Sequence, residues 1–203
     1  MSKNLVMVFT RNPELGKVKT RLAKIIGDKS ALSVYNYLLN HTEKTLRNIK
    51  CDKAVYYSSE VNHKDIWDNM IYQKHLQQGN DLGKKMHNAF NEAFSNGYKK
   101  VIIIGSDLLD LKPKHIEKAF NKLDNHDTVI GPALDGGYYL LGMKTLNFQI
   151  FKNKKWGTST VLSDTMENLQ DVDVHLLEKL NDIDTFDDLK KFSELKKLIA
   201  IND

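Results

Sequence analysis

The segment Val101 to Asp107 reads Val-Ile-Ile-Ile-Gly-Ser-Asp, a run of β-branched residues ending in a glycine, a hydroxyl and an acid. Such a run suits a strand buried on both faces, and open α/β sheets bind ligands beyond the carboxyl ends of their strands. Asp107 at that edge can hold a divalent metal against phosphate oxygens. It can equally cap the turn that follows, as Asp does well. Both readings stand on this segment alone.

A second set of residues would supply the opposite charge. Between Thr10 and Ala23, four cations (Arg11, Lys17, Lys19 and Arg21) surround the single glycine Gly16, after one apolar run and before a helical pattern. Gly16 lets the backbone approach a polyphosphate closely, and the cations can bind its oxygens by charge-assisted hydrogen bonds. The spacing is neither a Walker A motif nor the Gly-x-Gly-x-x-Gly dinucleotide fingerprint. A solvated basic loop is the plain alternative.

Three further clusters carry candidate chemistry. In Gln78 to Met86, Asp81 has the position of a helix N-cap, with Gly79 and Gly83 as turn punctuation that could also admit a base or ribose. In Gly131 to Gly142, Asp135-Gly136 lies between two strand-like runs and reads as a hairpin turn. Asp135 could also bind an acceptor hydroxyl or a metal. In Leu180 to Leu189, Thr185 can cap the last helix, with Asp187 and Asp188 in its first turn. Asp182 and Asp184 precede it two residues apart, so an extended backbone points both the same way. One or both can complete a metal site with Asp107, since Mg²⁺ takes one or two carboxylates and keeps water and phosphate as its other ligands. Thr158 or Ser159 is expected to cap the helix after Trp156. The seven histidines form no metal-ligand pattern, and no Gly-x-Ser-x-Gly nucleophile elbow is present.

The elements that must position these groups alternate along the chain. Strand-like runs fall at Leu5–Phe9, Lys53–Ser58, Ile71–Lys74, Val101–Ile104, Thr128–Pro132, Tyr138–Met143 and Val172–Leu177. Helical spacing covers Ala31–Asn48, Leu82–Ser95, Lys114–Leu123, Thr160–Gln170 and Phe186–Ile199. Alternation of this kind predicts an α/β fold with a mostly parallel sheet covered on both faces. With 203 residues and no repeat, low-complexity tract or linker, one domain over 1–203 is expected.

Bulk composition narrows the function classes. A net charge of +4 spread over Lys-rich helices does not point to nucleic acid, and no stretch approaches the ~18 apolar residues of a membrane span. One cysteine, Cys51, excludes an intramolecular disulfide framework. The first apolar run leads straight into Thr10-Arg11-Asn12-Pro13 with no cleavage site, so it reads as a strand rather than a signal peptide. Cytoplasm is the expected compartment, with no membrane or nucleic-acid partner.

In order along the chain, Phe9 to Ala23, Gln78 to Gly83, Gly105 to Asp107, Gly131 to Tyr138 and Asp182 to Leu189 resemble the motifs of a bacterial glycosyltransferase-like family. That family, formerly of unknown function, is associated with radical-SAM and selenodomain proteins. Two departures are visible: Leu108 follows Asp107 where the family has proline, and Asn80-Asp81 replaces Gly-Asp. Neither removes a candidate ligand. The resemblance implies membership of the nucleotide-diphospho-sugar transferase superfamily, with its Rossmann-like GT-A fold.

By that resemblance, Asp107 and Asp184 would share Mg²⁺ or Mn²⁺. Arg11, Gly16, Lys17, Lys19, Arg21, Gln78, Gly79 and Gly105 would bind the nucleotide and its phosphates, and Asp135 would orient or activate the acceptor. The implied partners are a nucleotide or nucleotide-sugar donor and a small-molecule acceptor. Sugar transfer from a nucleoside-diphosphate sugar is the first expectation. Nucleotidyl transfer from a triphosphate is the second, and a non-catalytic nucleotide-binding protein is the third.

Overall fold

Alternation of buried residues along the central strands decides the architecture. The computed structural model describes residues 3–152 and 154–199. Strand β1 (Asn4–Thr10) sends Val6 and Val8 to one face of the sheet and Leu5 and Met7 to the other. Strands β2 (Asp52–Tyr57) and β4 (Lys100–Ile104) do the same, with Val55, Tyr57, Ile102 and Ile104 opposed to Ala54, Tyr56, Val101 and Ile103. A strand apolar on both faces needs a cover on each. Helices α1 (Thr20–Arg47) and α3 (Pro113–Lys122) supply one cover through Tyr35, Leu39, Ile116 and Phe120. Helix α2 (Leu82–Ser95) supplies the other through Met86, Ala89, Phe90 and Ala93.

The remaining strands are β3 (Tyr72–Leu76), β5 (Thr128–Pro132), β6 (Tyr138–Met143) and β7 (Val174–Leu176). The seven lie in one sheet in the order β3-β2-β1-β4-β6-β5-β7. All neighbours are parallel except around β6, which runs antiparallel to both β4 and β5. This is the expected α/β fold with a mostly parallel sheet, and β5–β6 is the expected hairpin. Chain order reverses direction about β1, which pairs with β2 on one side and β4 on the other. That point is a topological switch, where open α/β sheets bind ligands.

Several boundaries differ from the sequence pattern for physical reasons. Helix α1 begins at Thr20, well before the expected Ala31, and the added segment is anchored by the buried Leu22. The two parts are joined at Gly27, whose φ of 79° and ψ of 158° interrupt the helix. The expected helix over Phe186–Ile199 is two helices, α5 (Phe186–Leu189) and α6 (Ser193–Ile199). The break lets Leu189 and Leu195 both join Leu22, Val34 and Leu38 of α1 in a third apolar cluster. Helix α4 (Val161–Glu167) is capped at neither Thr158 nor Ser159. Its N-cap is Thr160, whose hydroxyl instead donates to Asp164 at 3.0 Å, while the Thr158 hydroxyl donates to the Lys155 carbonyl at 2.8 Å. Among the described residues, no helix is long and apolar enough to cross a membrane.

Candidate active site

A cleft of about 830 Å³ opens over the carboxyl ends of β1 and β4. Its floor is fixed by polar ties between strand ends. The Tyr35 hydroxyl on α1 accepts from the Arg11 N–H at 2.9 Å and donates to the Arg11 carbonyl at 3.0 Å, which sets the turn leaving β1. The Gln77 amide donates to the carbonyls of Thr10 at 3.1 Å and Tyr56 at 2.9 Å, joining the ends of β1 and β2. Five cations line the cleft (Arg11, Lys17, Lys19, Arg21 and Lys85) against the three acids Glu14, Asp107 and Asp184.

Three of those cations come from the loop between β1 and α1 and Arg21 from the first turn of α1, and they are placed differently. Gly16 turns the loop with a φ of 75°. Lys17 and Arg21 leave 71% and 70% of their side chains exposed, whereas Lys19 leaves 4%. Lys19 has a left-handed backbone, φ 47° and ψ 43°, at the N-cap of α1. That conformation is uncommon for a residue with a Cβ and is kept only where surrounding contacts hold it. Val18 beside it is buried and the Lys19 carbonyl accepts from the Ala23 N–H at 2.8 Å, while the ammonium donates to Asp107 Oδ2 at 3.0 Å and to Asp184 Oδ1 at 3.4 Å. Burial pulls the Lys19 pKa down, but the charges of Asp107 and Asp184 and the hydrogen bond to Asp107 outweigh it, so the net shift is upward and the amine stays charged. Arg21 reaches Asp184 Oδ2 at 3.3 Å from the solvent side.

The two carboxylates are brought together by the backbone. Asp107 follows β4, where a Cβ on Gly105 would stand 3.0 Å from Asp107 Oδ1, so glycine there keeps the carboxylate clear. Asp184 arrives on the extended stretch before α5. Between it and Asp182, the Ile183 side chain is fully buried and the Ile183 N–H donates to the Asp107 carbonyl at 3.1 Å. With Ile183 pinned inward, Asp184 turns to line the cleft, whereas Asp182 does not line it. Burial first, then the charges of Asp107 and Asp135, raise the Asp182 pKa to about 6 against the opposing pull of Lys19. The stretch is closed by a capping box: Asp188 Oδ2 accepts from the Thr185 N–H at 2.9 Å, and the Thr185 hydroxyl accepts from the Asp188 N–H at 3.3 Å.

Other candidates are more peripheral. Asp135 is exposed at the β5–β6 hairpin, and its Oδ1 accepts from the Gly137 N–H at 2.8 Å, so turn chemistry accounts for one carboxylate oxygen. The hairpin is held against the start of α4, since the Leu162 N–H donates to the Gly136 carbonyl at 2.9 Å. Gln78 and Gly79 are exposed and do not line the cleft. Gly79 is needed where it lies: its φ is 141°, and a Cβ would meet the Lys85 backbone nitrogen at 2.9 Å. Asp81 caps α2 as expected, accepting from the Lys84 N–H at 2.8 Å.

Sequence reasoning passed over Lys85, Gln77 and Tyr35. A signal existed for Lys85: Leu82, Lys85 and Met86 stand at i, i+3 and i+4 on α2 and all line the cleft. Gln77 and Tyr35 act through contacts between distant segments and left no local pattern.

The donor set fits a hard divalent cation. Asp107 and Asp184 aim carboxylate oxygens at one point, and a cationic group already stands there. Among the described residues, no three His, Cys, Asp or Glu side chains are grouped to hold a metal. Two carboxylates suffice for Mg²⁺ or Mn²⁺ when phosphate and water complete the shell.

A family profile described as an uncharacterized protein conserved in bacteria, DUF2064, matches residues 41–158. The chain superposes with a TM-score of 0.88 on the crystal structure of a proposed nucleotide-diphospho-sugar transferase from Desulfovibrio desulfuricans G20. The two are 31% identical, and the match covers 100% of this chain and 96% of the other. The 2-phospho-L-lactate guanylyltransferase of Methanocaldococcus jannaschii is 28% identical over 132 residues, 64% of this chain and 56% of that enzyme. The chain thus matches less than two thirds of the length of this curated relative. A 4-diphosphocytidyl-2C-methyl-D-erythritol synthase from Anaerococcus prevotii shares the fold, with a TM-score of 0.60 at 11% identity over 98% of this chain and 95% of its own.

Proposed function

The chain belongs to the DUF2064 family, and we propose that it is a metal-dependent nucleotidyltransferase that joins a nucleoside monophosphate to a small phosphorylated acceptor and releases pyrophosphate. The observation that carries this reading is the charge of the cleft: five cations line it around the converging Asp107 and Asp184. A triphosphate carries more negative charge than a nucleoside-diphosphate sugar and makes fuller use of them. The guanylyltransferase relative supports the same class of reaction.

In this reading an acceptor phosphate oxygen attacks the α-phosphorus. The new O–P bond forms as the bond to the pyrophosphate oxygen breaks, and the electron pair leaves with pyrophosphate. A divalent cation held by Asp107 and Asp184 would neutralise charge on the reacting phosphate and the leaving group. Lys17, Arg21 and Arg11 stabilise the β- and γ-phosphate oxygens as negative charge moves onto them. Gln77 and Tyr35 keep the β1 end rigid, so those cations act from a fixed frame. An acceptor phosphate is already an anion at neutral pH and needs no general base. Asp135, exposed and engaged in its own turn, is then free of any deprotonating role and would orient an acceptor hydroxyl from the hairpin.

Sugar transfer remains the second reading, supported by the whole-length likeness to the Desulfovibrio protein. A thermal-shift series separates the two. A triphosphate at 100 times its Kd stabilises by about 2.7 kcal/mol, and each kcal/mol raises Tm by about 2–4 °C at this size. The proposal expects Mg²⁺-dependent stabilisation by one triphosphate beyond its diphosphate. Stabilisation by a nucleotide sugar and no triphosphate would overturn it.

A further inference from the structure

The Lys19 ammonium occupies the point where the metal belongs. We propose that Lys19 is a resident counter-ion that keeps the Asp107–Asp184 pair closed to divalent cations until a polyphosphate draws the ammonium away. This inference rests on the metal-dependent reading of the site.

The geometry makes joint occupancy unfavourable. Lys19 Nζ lies 3.0 Å from Asp107 Oδ2 and 3.4 Å from Asp184 Oδ1. A magnesium ion needs carboxylate oxygens at about 2.0–2.1 Å, so an ion bound to both carboxylates would lie against the ammonium with no screening water between. Like charges at that separation repel, and the Lys19 side chain, 4% exposed, is little screened by solvent. The ammonium must therefore move before the ion can bind.

Its position is built in. Of the loop lysines and arginines, only Lys19 turns inward, and among the described residues it is the one non-glycine with a positive φ. Val18 beside it is buried, and the Lys19 carbonyl accepts from the Ala23 N–H at 2.8 Å as α1 begins, so the backbone is anchored on both sides. The four-carbon stem is not: it can rotate about that fixed backbone and carry the ammonium from the carboxylates to phosphate oxygens in the same cleft. Only a ligand that offers both an anion for Lys19 and oxygens for the metal completes the exchange. Metal and polyphosphate then bind with positive coupling, because each removes an obstacle to the other.

The test reads metal binding, with no turnover. Mn²⁺ alone is titrated into wild-type protein, Lys19→Met and Lys19→Gln, with bound ion followed by electron paramagnetic resonance and folding checked by circular dichroism. The expected result is at least tenfold tighter Mn²⁺ binding in either folded variant, lost again when Asp107→Asn is added. A measurement on the wild type needs no variant: equilibrium dialysis should show at least tenfold more Mn²⁺ retained when inorganic tripolyphosphate is present. Folded variants that bind Mn²⁺ no better than wild type would overturn the counter-ion role, as would wild-type retention unchanged by tripolyphosphate. The catalytic reading is scored separately by pyrophosphate release from the wild type, so either can fail without the other.

Discussion

The Ile183 N–H donates to the Asp107 carbonyl at 3.1 Å, tying the chain before α5 to the end of β4. Through this bond and the fully buried Ile183 side chain, residues far apart in sequence present acids to one point. Truncating the side chain tests this strap. Ile183→Ala should cost about 2–5 kcal/mol of stability, as buried aliphatic truncations do, read by urea denaturation. It should also weaken Mg²⁺-dependent nucleotide binding at temperatures where the variant is folded. Unchanged binding would show that Asp184 is positioned by something else.

Lys17 and Arg21 are largely exposed, and the ion pairs Lys17–Glu14 and Arg21–Asp184 add little to folding. Replacing each with Ala should leave the urea-unfolding midpoint close to that of the wild type. Triphosphate affinity should fall roughly tenfold per substitution, by loss of one charge-assisted contact, while affinity for the bare nucleoside holds. Isothermal titration with both ligands decides. Equal losses for the two would count against a phosphate cradle.

Gly136 tests the acceptor side. Its φ is 90°, and a Cβ there would stand 2.1 Å from the Ser159 carbonyl oxygen. Gly136→Ala should destabilise by more than about 1 kcal/mol and displace the hairpin that carries Asp135. The account expects a raised KM for the acceptor with the nucleotide Kd unchanged. A change in nucleotide Kd alone would place the hairpin on the donor side.

His115 gives a pH dependence away from the cleft. It is buried at the start of α3, its Nδ1 accepting from the Lys112 N–H at 3.0 Å and its Nε2 lying 2.7 Å from Glu178. Burial lowers its pKa, against the opposing pull of Glu178. The neutral ring with its proton on Nε2 satisfies both contacts, whereas protonating Nδ1 breaks the first. A folded-state pKa below the unfolded value, about 6.5, means this contribution is fully present above that pH and is lost as pH falls from there through the lower folded value. Urea denaturation at pH 7.5 and 5.5 should show a smaller pH effect for His115→Gln than for wild type.

Most of the scaffold was legible in local pattern. The alternation in β1, β2 and β4 and the Asp135-Gly136 turn set the α/β sheet and its hairpin, and Asp81 and Thr185 cap the helices their types predict. What was not legible depended on distant contacts. Lys19 looked like one of four equivalent cations until the fold placed Asp107 and Asp184 around it. Gln78 is one of several residues the resemblance places at the nucleotide, yet its neighbour Gln77 is the one that faces the cleft, because β3 runs on to Leu76 and fixes which side chain turns inward. The split between α5 and α6 follows from how Leu189 and Leu195 pack under α1, which periodicity alone does not register.

The most direct measurement is phosphorus NMR of the products formed from each nucleoside triphosphate, or each nucleotide sugar, with Mg²⁺ and a panel of small phosphorylated acceptors. The account predicts pyrophosphate and a new P–O–P phosphoanhydride linkage between nucleotide and acceptor from one triphosphate, reduced roughly 100-fold or more in Asp107→Asn. A nucleoside diphosphate released from a nucleotide sugar, with no pyrophosphate from any triphosphate, would contradict it.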